Sequence, residues 1–432
     1  MKKVLIISYY WPPSGGAGVQ RWLKFVKYLS HFGWKPIIYT PKNPEYPSVD
    51  NSLQKDVPKN IEILTKEIFE PYSAYKKFLG KSKDEKINAG FLSEEKKNKT
   101  SENIAVWIRG NFFIPDARMF WIKPSVKFLS EYLQKNHIDA IVSTGPPHSM
   151  HMIANEIKKK FNIPWLADFR DPWTNIDFYK DLKLTKWADR KHHRLEQKVL
   201  KNANRIVVIS NYMAQDMNFL HNRNYNVVTN GFDFDDVSKI PELPDKKFSI
   251  SHIGSMVRTR NPEILWKALE SLVSENLISK SHLEIKLVGK VDFSIIEDLK
   301  KYNLFDFLNR IDYLPHQEVG KVQQQSQVLL LVVNKTPNAK MILTGKFFEY
   351  LSAKRPILCI GPEDGEVAKI LEETNSGILC DYEDFEKTRK SILHFYKLYL
   401  KNNLKSESKA IDQFSRKELC KSICNILDEM IN

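Results

Sequence analysis

Cysteine is scarce in this 432-residue chain, and its placement excludes two classes of protein. Cys359 sits in an apolar run, Cys380 ends another, and Cys420 and Cys424 lie one helical turn apart. Without a second ligand pair, four such residues make neither a disulfide framework nor a zinc site. Long hydrophobic runs are missing too: no stretch approaches the length of about 18 apolar residues that a transmembrane helix requires. Lys2 and Lys3 open the chain, but the apolar run Val4–Tyr10 is too short for a secretion signal and leads directly into a structured motif. These absences point to a cytoplasmic protein. Lys81 to Asn103 is nearly free of large apolar residues and predicts a flexible loop or weakly ordered insertion. No internal repeat of fixed period is evident.

The length fits two domains of about 200 residues each, and 42% apolar residues suffice for two full cores. The net charge of +14 is unevenly spread. Residues 1–235 carry 37 Lys and Arg against 24 Asp and Glu, and residues 236–432 carry 29 against 28. A basic half joined to a neutral half suits an anionic partner for one domain alone. Nucleic acid and a negatively charged membrane surface both fit, as does a lysine-rich solubilising surface. Nucleic acid is disfavoured because no recognition helix or RNA-binding aromatic motif is present.

Strand and helix alternate along the chain, which predicts parallel α/β layers. Strands are expected at Val4–Tyr10, Lys35–Thr40, Ala140–Thr144, Trp165–Phe169 and Arg205–Ser210. Helices are expected to begin near His148, Leu182 and Asn211. Trp22, Phe25, Val26, Leu29 and Phe32 recur at helical spacing. A second series has strands at Phe248–Ile253, Leu283–Val288, Val328–Val333 and Pro356–Ile360. Gly231 to Lys247, with two prolines and five acidic residues, reads as the linker. Ile108 to Leu133 mixes Phe112, Phe113, Phe120 and Trp121 with Arg109, Arg118, Lys123 and Lys127, and reads either as a membrane-docking face or as a buried packing segment.

Five segments carry candidate chemistry. Thr344-Gly345-Lys346-Phe347-Phe348-Glu349 opens a helix after the strand Val328–Val333, so Gly345 and Lys346 stand where free amides and a cation would hold a phosphate. Glu349, one turn on, is placed to accept from ribose hydroxyls. The same spacing also fits a capped helix with a surface Lys–Glu pair. Pro12 to Arg21 is a Gly-rich turn in which Gly16 and Gly18 permit close approach to a phosphate. Arg21 replaces the third glycine of a dinucleotide fingerprint, and the second strand ends at Thr40-Pro41 with no acidic residue, so a nicotinamide enzyme is disfavoured. Gly254-Ser255-Met256-Val257-Arg258-Thr259-Arg260 sets two arginines before a helix, where they can form a second anion site. Thr144 to His151 and Asp168 to Trp173 place His148, His151, Arg170 and Asp171 at strand tips, where open α/β sheets bind ligands. His148 also fits a helix cap and His151 helix packing, while Asp168 and Arg170 also fit a structural pair. Asp233-Phe234-Asp235 resembles a metal-binding D-x-D, but no other ligands accompany it, and it reads as linker polarity.

Lys346-Phe347-Phe348-Glu349-Tyr350-Leu351 followed by Ala353-Lys354-Arg355-Pro356-Ile357-Leu358 resembles the donor-site helix of family 4 glycosyltransferases. The Gly-rich first loop and the Gly254 loop resemble their counterparts in the same family. The resemblance implies an α/β GT-B fold: two Rossmann-like domains with parallel sheets facing across a cleft. The first domain, residues 1–235, would bind acceptor, with a terminal helix at 412–432 packing back on it. Residues 245–411 would bind the nucleotide-sugar donor through Gly254, Arg258, Arg260, Gly345, Lys346 and Glu349, with Gly16 and Gly18 near its phosphates. Asp171 would contact the sugar or orient the acceptor hydroxyl, with His148 and Arg170 beside it. Met341 stands where the family has a sugar-contacting Glu. The activity implied is retaining sugar transfer, without metal or other cofactor, to a saccharide or lipid-pyrophosphate acceptor at an anionic inner membrane face. A GT-B sugar-nucleotide epimerase is the alternative.

Overall fold

The computed structural model describes residues 1–46, 48–70, 99–237, 242–312, 314 and 316–432. The chain divides into two units, Met1–Thr229 with Leu419–Asn432, and Asn230–Glu418. The division follows Thr229, so Asn230–Asp235 group with the second unit and not the first.

In the first unit seven parallel strands run in the order β3-β2-β1-β4-β5-β6-β7. They are β1 (Lys2–Ile7), β2 (Trp34–Pro41), β3 (Glu62–Lys66), β4 (Ala140–Gly145), β5 (Trp165–Phe169), β6 (Arg205–Val208) and β7 (Asn226–Val227). Alternation along β1 decides which helices cover which face. Val4 and Ile6 pack with Val19, Trp22, Leu23 and Val26 of the helix Ala17–Leu29, and with Ile423 and Leu427 of the helix Arg416–Ile431. Leu5 and Ile7 face the other way, toward Trp121, Leu129, Met150 and Ile153 of the helices Met119–Leu133 and Ser149–Phe161. The terminal helix is fastened by Asp428, which accepts from Lys2 Nζ and, at 3.0 Å, from Trp34 Nε1.

The second unit holds six parallel strands in the order β10-β9-β8-β11-β12-β13. They are β8 (Phe248–Ile253), β9 (Leu283–Val288), β10 (Leu308–Ile311), β11 (Val328–Val332), β12 (Ile357–Ile360) and β13 (Gly377–Cys380). Ile250, Leu283, Ile285, Leu287 and Leu330 pack on one face with Trp266, Leu269 and Ile392. Leu329, Leu331 and Cys359 pack on the opposite face with Phe347, Phe348 and Leu351. All four cysteines are buried free thiols.

Several expected boundaries shift for local reasons. β1 begins at Lys2 and ends at Ile7, short of Tyr10. β6 stops at Val208 because Ser210 caps the next helix, its hydroxyl accepting from Met213 N at 3.1 Å. The helix expected near Leu182 starts at Lys186, where Thr185 accepts from Ala188 N at 3.2 Å. Of the Lys81–Asn103 segment, residues 81–98 lie outside the described residues, and 99–103 open the helix Lys99–Phe112. The aromatic segment 108–133 divides between that helix and Met119–Leu133. Trp121 is fully buried, stacked on Tyr39 with ring centroids 4.8 Å apart. Arg118 is buried with Glu70, at 3.2 Å. Neither residue can serve a docking face, which leaves the exposed Phe112, Phe120, Lys123 and Lys127.

Candidate functional site

Strand order reverses between β8 and β11 in the second unit, the position at which open α/β sheets leave a crevice at their carboxyl ends. Gly254 follows β8 with φ +112°, a conformation that favours glycine. Absence of a side chain there matters sterically as well, since a Cβ would come within 2.9 Å of Lys346 Nζ. Gly289, after β9, has φ +107° and backs directly onto the Gly254 backbone. Gly345 opens the helix Gly345–Ser352 into free space, with no heavy atom within 4 Å of where its Cβ would be. Among the described residues, no side chain makes a capping hydrogen bond at this helix N-terminus.

Lys346 turns its ammonium to His252, with Nζ 2.8 Å from Nε2. Burial, reinforced by the positive charge of Arg260, lowers the Lys346 pKa to about 7, and Glu349 acts in the opposite direction. Arg260 itself is oriented by Asn334 Oδ1, which accepts from its Nε at 2.5 Å. Glu349 accepts from Gln323 Nε2 at 3.3 Å. Gly254, Gly345, Lys346, Arg260 and Glu349 therefore belong to one neighbourhood at the β8–β11 reversal. Arg258 is exposed to solvent. Met341 ends the short turn Ala339–Met341 in the same β11-to-helix connection.

The first unit repeats the reversal between β1 and β4, and its candidate residues gather around Arg170. The Arg170 guanidinium donates to Gly18 O at 2.7 Å and to Pro146 O, joining the loops that follow β1 and β4. A Cβ on Gly18 would come 3.0 Å from Arg170 Nη1 and from Tyr10, so close packing accounts for that glycine. Gly16 has φ +89° and is exposed at the start of its helix. Asp168 is not paired with Arg170; its partner is Arg21, with Trp22 Nε1 donating at 2.7 Å and Thr144 Oγ1 at 2.8 Å. Burial would raise the Asp168 pKa, but Arg21 and these donors outweigh it and hold the carboxyl below its ordinary value.

His148 is buried and stacked on Trp173, with centroids 4.3 Å apart. Although it precedes the helix Ser149–Phe161, its side chain makes no capping bond; Asp116 takes that role, accepting from Ser149 N at 2.8 Å. Burial, and then the neighbouring His151, holds His148 neutral with a pKa well below the ordinary value. His151 is fully buried, its Nδ1 2.8 Å from Ser143 Oγ, and burial lowers its pKa to about 3. Asp171 is different. It reaches solvent at the end of β5, and desolvation by the surrounding protein raises its pKa while Arg170 opposes the change.

No family model matches the chain, and no curated protein is similar enough to match it. Solved structures are similar over its full length. A glycosyltransferase from Rickettsia africae ESF-5 has a TM-score of 0.62 at 14% identity, covering 100% of this chain and 99% of its own. Anabaena HepE, in complex with UDP-glucose, has 0.61 at 10% identity, covering 99% and 100%. A mutant of S. aureus TarM, in complex with fondaparinux, α-GlcNAc-glycerol and UDP, has 0.58 at 11% identity, covering 99% and 100%. The chain has the GT-B fold.

Within this GT-B framework three neighbours escaped sequence reasoning. His252 carries the Lys346 contact, and its place two residues before Gly254, near the end of a strand, was the available signal. Asn334 orients Arg260, and Gln323 meets Glu349, from positions with no local pattern. Tyr350 lies in the recognised helix, where its hydroxyl accepts from Ile253 N at 2.9 Å and fixes the helix to the end of β8. Among the described residues no cluster of three or more metal-ligating side chains occurs; Asp233 is buried, and its side chain accepts from Asp235 N at 3.2 Å.

Proposed function

We propose that this GT-B chain is a retaining glycosyltransferase that moves a sugar from a nucleotide-sugar to a saccharide or lipid-pyrophosphate acceptor. One observation carries the reading: Lys346 and Arg260 are held within electrostatic reach of each other, and the hydrogen-bond partner of Lys346 is an imidazole. Two cations brought together in a partly buried place repel, and an anion between them relieves that repulsion. A diphosphate at a helix N-terminus is the matching ligand. Glu349, one turn along, would accept from the ribose hydroxyls, as the resemblance to family 4 glycosyltransferases suggests.

In this reading the donor binds to the second unit through Gly254, Arg260, Gly345, Lys346 and Glu349. The leaving diphosphate gains negative charge as the glycosidic bond breaks, and Arg260, Lys346 and backbone amides stabilise it without a metal. The departing phosphate oxygen takes the proton of the incoming hydroxyl, so the acceptor adds on the face that the diphosphate leaves. The acceptor belongs to residues 1–235, with Asp171 oriented toward its hydroxyl or the sugar. Arg170 holds the surrounding loops, and His148 packs beneath them. The excess positive charge of that half supports an anionic lipid surface as the setting. No helix among the described residues is long and apolar enough to cross a membrane.

The test is nucleoside diphosphate release from UDP-, GDP- and ADP-sugars, with and without a lipid-pyrophosphate saccharide. Acceptor-dependent release that disappears in Glu349→Ala supports transfer. Conversion of the donor sugar without an acceptor would replace transfer by epimerisation.

A further inference from the structure

His252 lies on β8, two residues before Gly254, and is 1% exposed. Its Nδ1 is 3.1 Å from the carbonyl oxygen of Leu330 on neighbouring β11. A carbonyl only accepts, so Nδ1 carries the proton and Nε2 presents a bare lone pair. Lys346 Nζ donates to that lone pair at 2.8 Å. The amine is thereby held over Gly254, where the absence of a side chain leaves room for it.

We propose that His252 is a positioning residue for the donor diphosphate: its neutral imidazole holds the Lys346 amine over Gly254 without neutralising it. The inference rests on the donor reading of this site. Its physical logic is a choice of acceptor. An Asp or Glu at position 252 would orient Lys346 equally well, but it would form an ion pair that competes with the ligand's phosphates. An imidazole orients the amine and leaves its charge for the ligand.

The groups around the pair agree with that division of labour. Burial and the Lys346 charge hold the His252 pKa well below its ordinary value, assisted by Arg260 and opposed by the Leu330 and Ser255 backbone. On Lys346, burial and Arg260 favour the uncharged amine and Glu349 the charged one. At pH 8 the empty site therefore holds a mostly neutral Lys346, which a bound diphosphate would recharge. Binding should draw in a proton.

The test is calorimetric titration of UDP, GDP, ADP and their nucleosides into the wild-type chain, His252→Leu and His252→Gln at pH 8. Leu removes the acceptor at similar volume, whereas Gln can return an oxygen near the Nε2 position. The diphosphate that binds wild type should lose about tenfold or more in His252→Leu, nucleoside binding should change by less than about twofold, and Gln should recover most of the loss. A folded His252→Leu chain that binds the diphosphate like wild type would overturn the role of His252 and leave the donor reading standing. If His252→Leu does not fold, His252→Asp decides: diphosphate affinity about tenfold or more below wild type with nucleoside binding unchanged supports the neutral acceptor, and wild-type diphosphate affinity overturns it. If none of the three diphosphates binds wild type, the donor reading fails and this inference falls with it.

Discussion

Arg21 and Asp168 form a fully enclosed ion pair in the first unit, with Nη2 3.0 Å from Oδ1 and side chains 1% and 0% exposed. Arg21 also donates to the carbonyls of Val228 at 2.8 Å and Thr229 at 2.7 Å, where the chain leaves the unit. One guanidinium therefore ties the helix after the Gly-rich loop to β5 and to the exit segment. This is the physical reason an arginine, and not a glycine, follows that loop.

Asp168→Ala should cost about 3–5 kcal/mol, because Arg21 would remain buried without its counter-charge. Chemical denaturation measures it, and a loss below about 1 kcal/mol would show that water or another group compensates. The acid side gives a second reading. The folded-state pKa of Asp168 lies below its unfolded value, so its stabilisation is present above the unfolded pKa and disappears as pH falls through the folded one. Asp168→Asn should therefore flatten the loss of stability below about pH 4.

Trp121→Ala should destabilise by about 3–5 kcal/mol, since the indole is fully buried against Tyr39. Lys123→Gln with Lys127→Gln should change stability by no more than about 0.5 kcal/mol. The same double change should weaken sedimentation with anionic vesicles, each lysine contributing about 1 kcal/mol at such a surface. Equal sedimentation of wild type and the double variant would move the membrane contact elsewhere.

Central strands and the glycine-bearing loops after β1 and β8 were legible in the sequence because they are the parts with one dominant constraint. β5, β8 and β9 are almost wholly buried, and their apolar residues, Phe248, Ile250 and Ile253 in β8 and Leu283, Ile285, Leu287 and Val288 in β9, marked the observed ends despite the polar residues between them. β3 and β10 lie at sheet edges, half exposed, and β7 is two residues long, so no apolar run announced them. Arg118 and Trp121 fitted either a docking face or a buried packing segment, because aromatics and cations alternate around them; long-range partners, Glu70 and Tyr39, decide for burial. The candidate donor residues were visible through their glycines and charges. Their orienting neighbours were not, because His252, Asn334 and Gln323 reach them from a strand, a loop and a helix that are remote in sequence.

Arg260→Ala should weaken nucleoside diphosphate binding by roughly ten- to hundred-fold, the worth of a charge-assisted bond of about 1.5–3 kcal/mol. Arg258→Ala, at an exposed position, should have little effect. Competition binding distinguishes them, and the reverse order would shift the clamp by one loop position.

Affinity for diphosphate should fall as pH rises above the Lys346 pKa of about 7, by at most about tenfold per unit, because the ligand selects the charged amine. In the ligand-free protein the sign reverses. The unfolded chain binds a proton at Lys346 up to its ordinary value of 10.5, so this residue makes stability rise with pH between about 7 and that value. Lys346→Met should remove both dependences, which titration calorimetry and denaturation at pH 7 and 9 would record.

The most direct test of the whole account is the thermal unfolding midpoint of wild type and Glu349→Ala in UDP-, GDP- and ADP-sugars. One donor class should raise the wild-type midpoint, by an amount that grows with concentration as linkage requires, and should raise that of a normally folded Glu349→Ala far less. A wild-type chain whose midpoint does not move with any of the three at concentrations of about 1 mM, weaker than ordinary substrate affinities, would contradict the nucleotide-sugar reading.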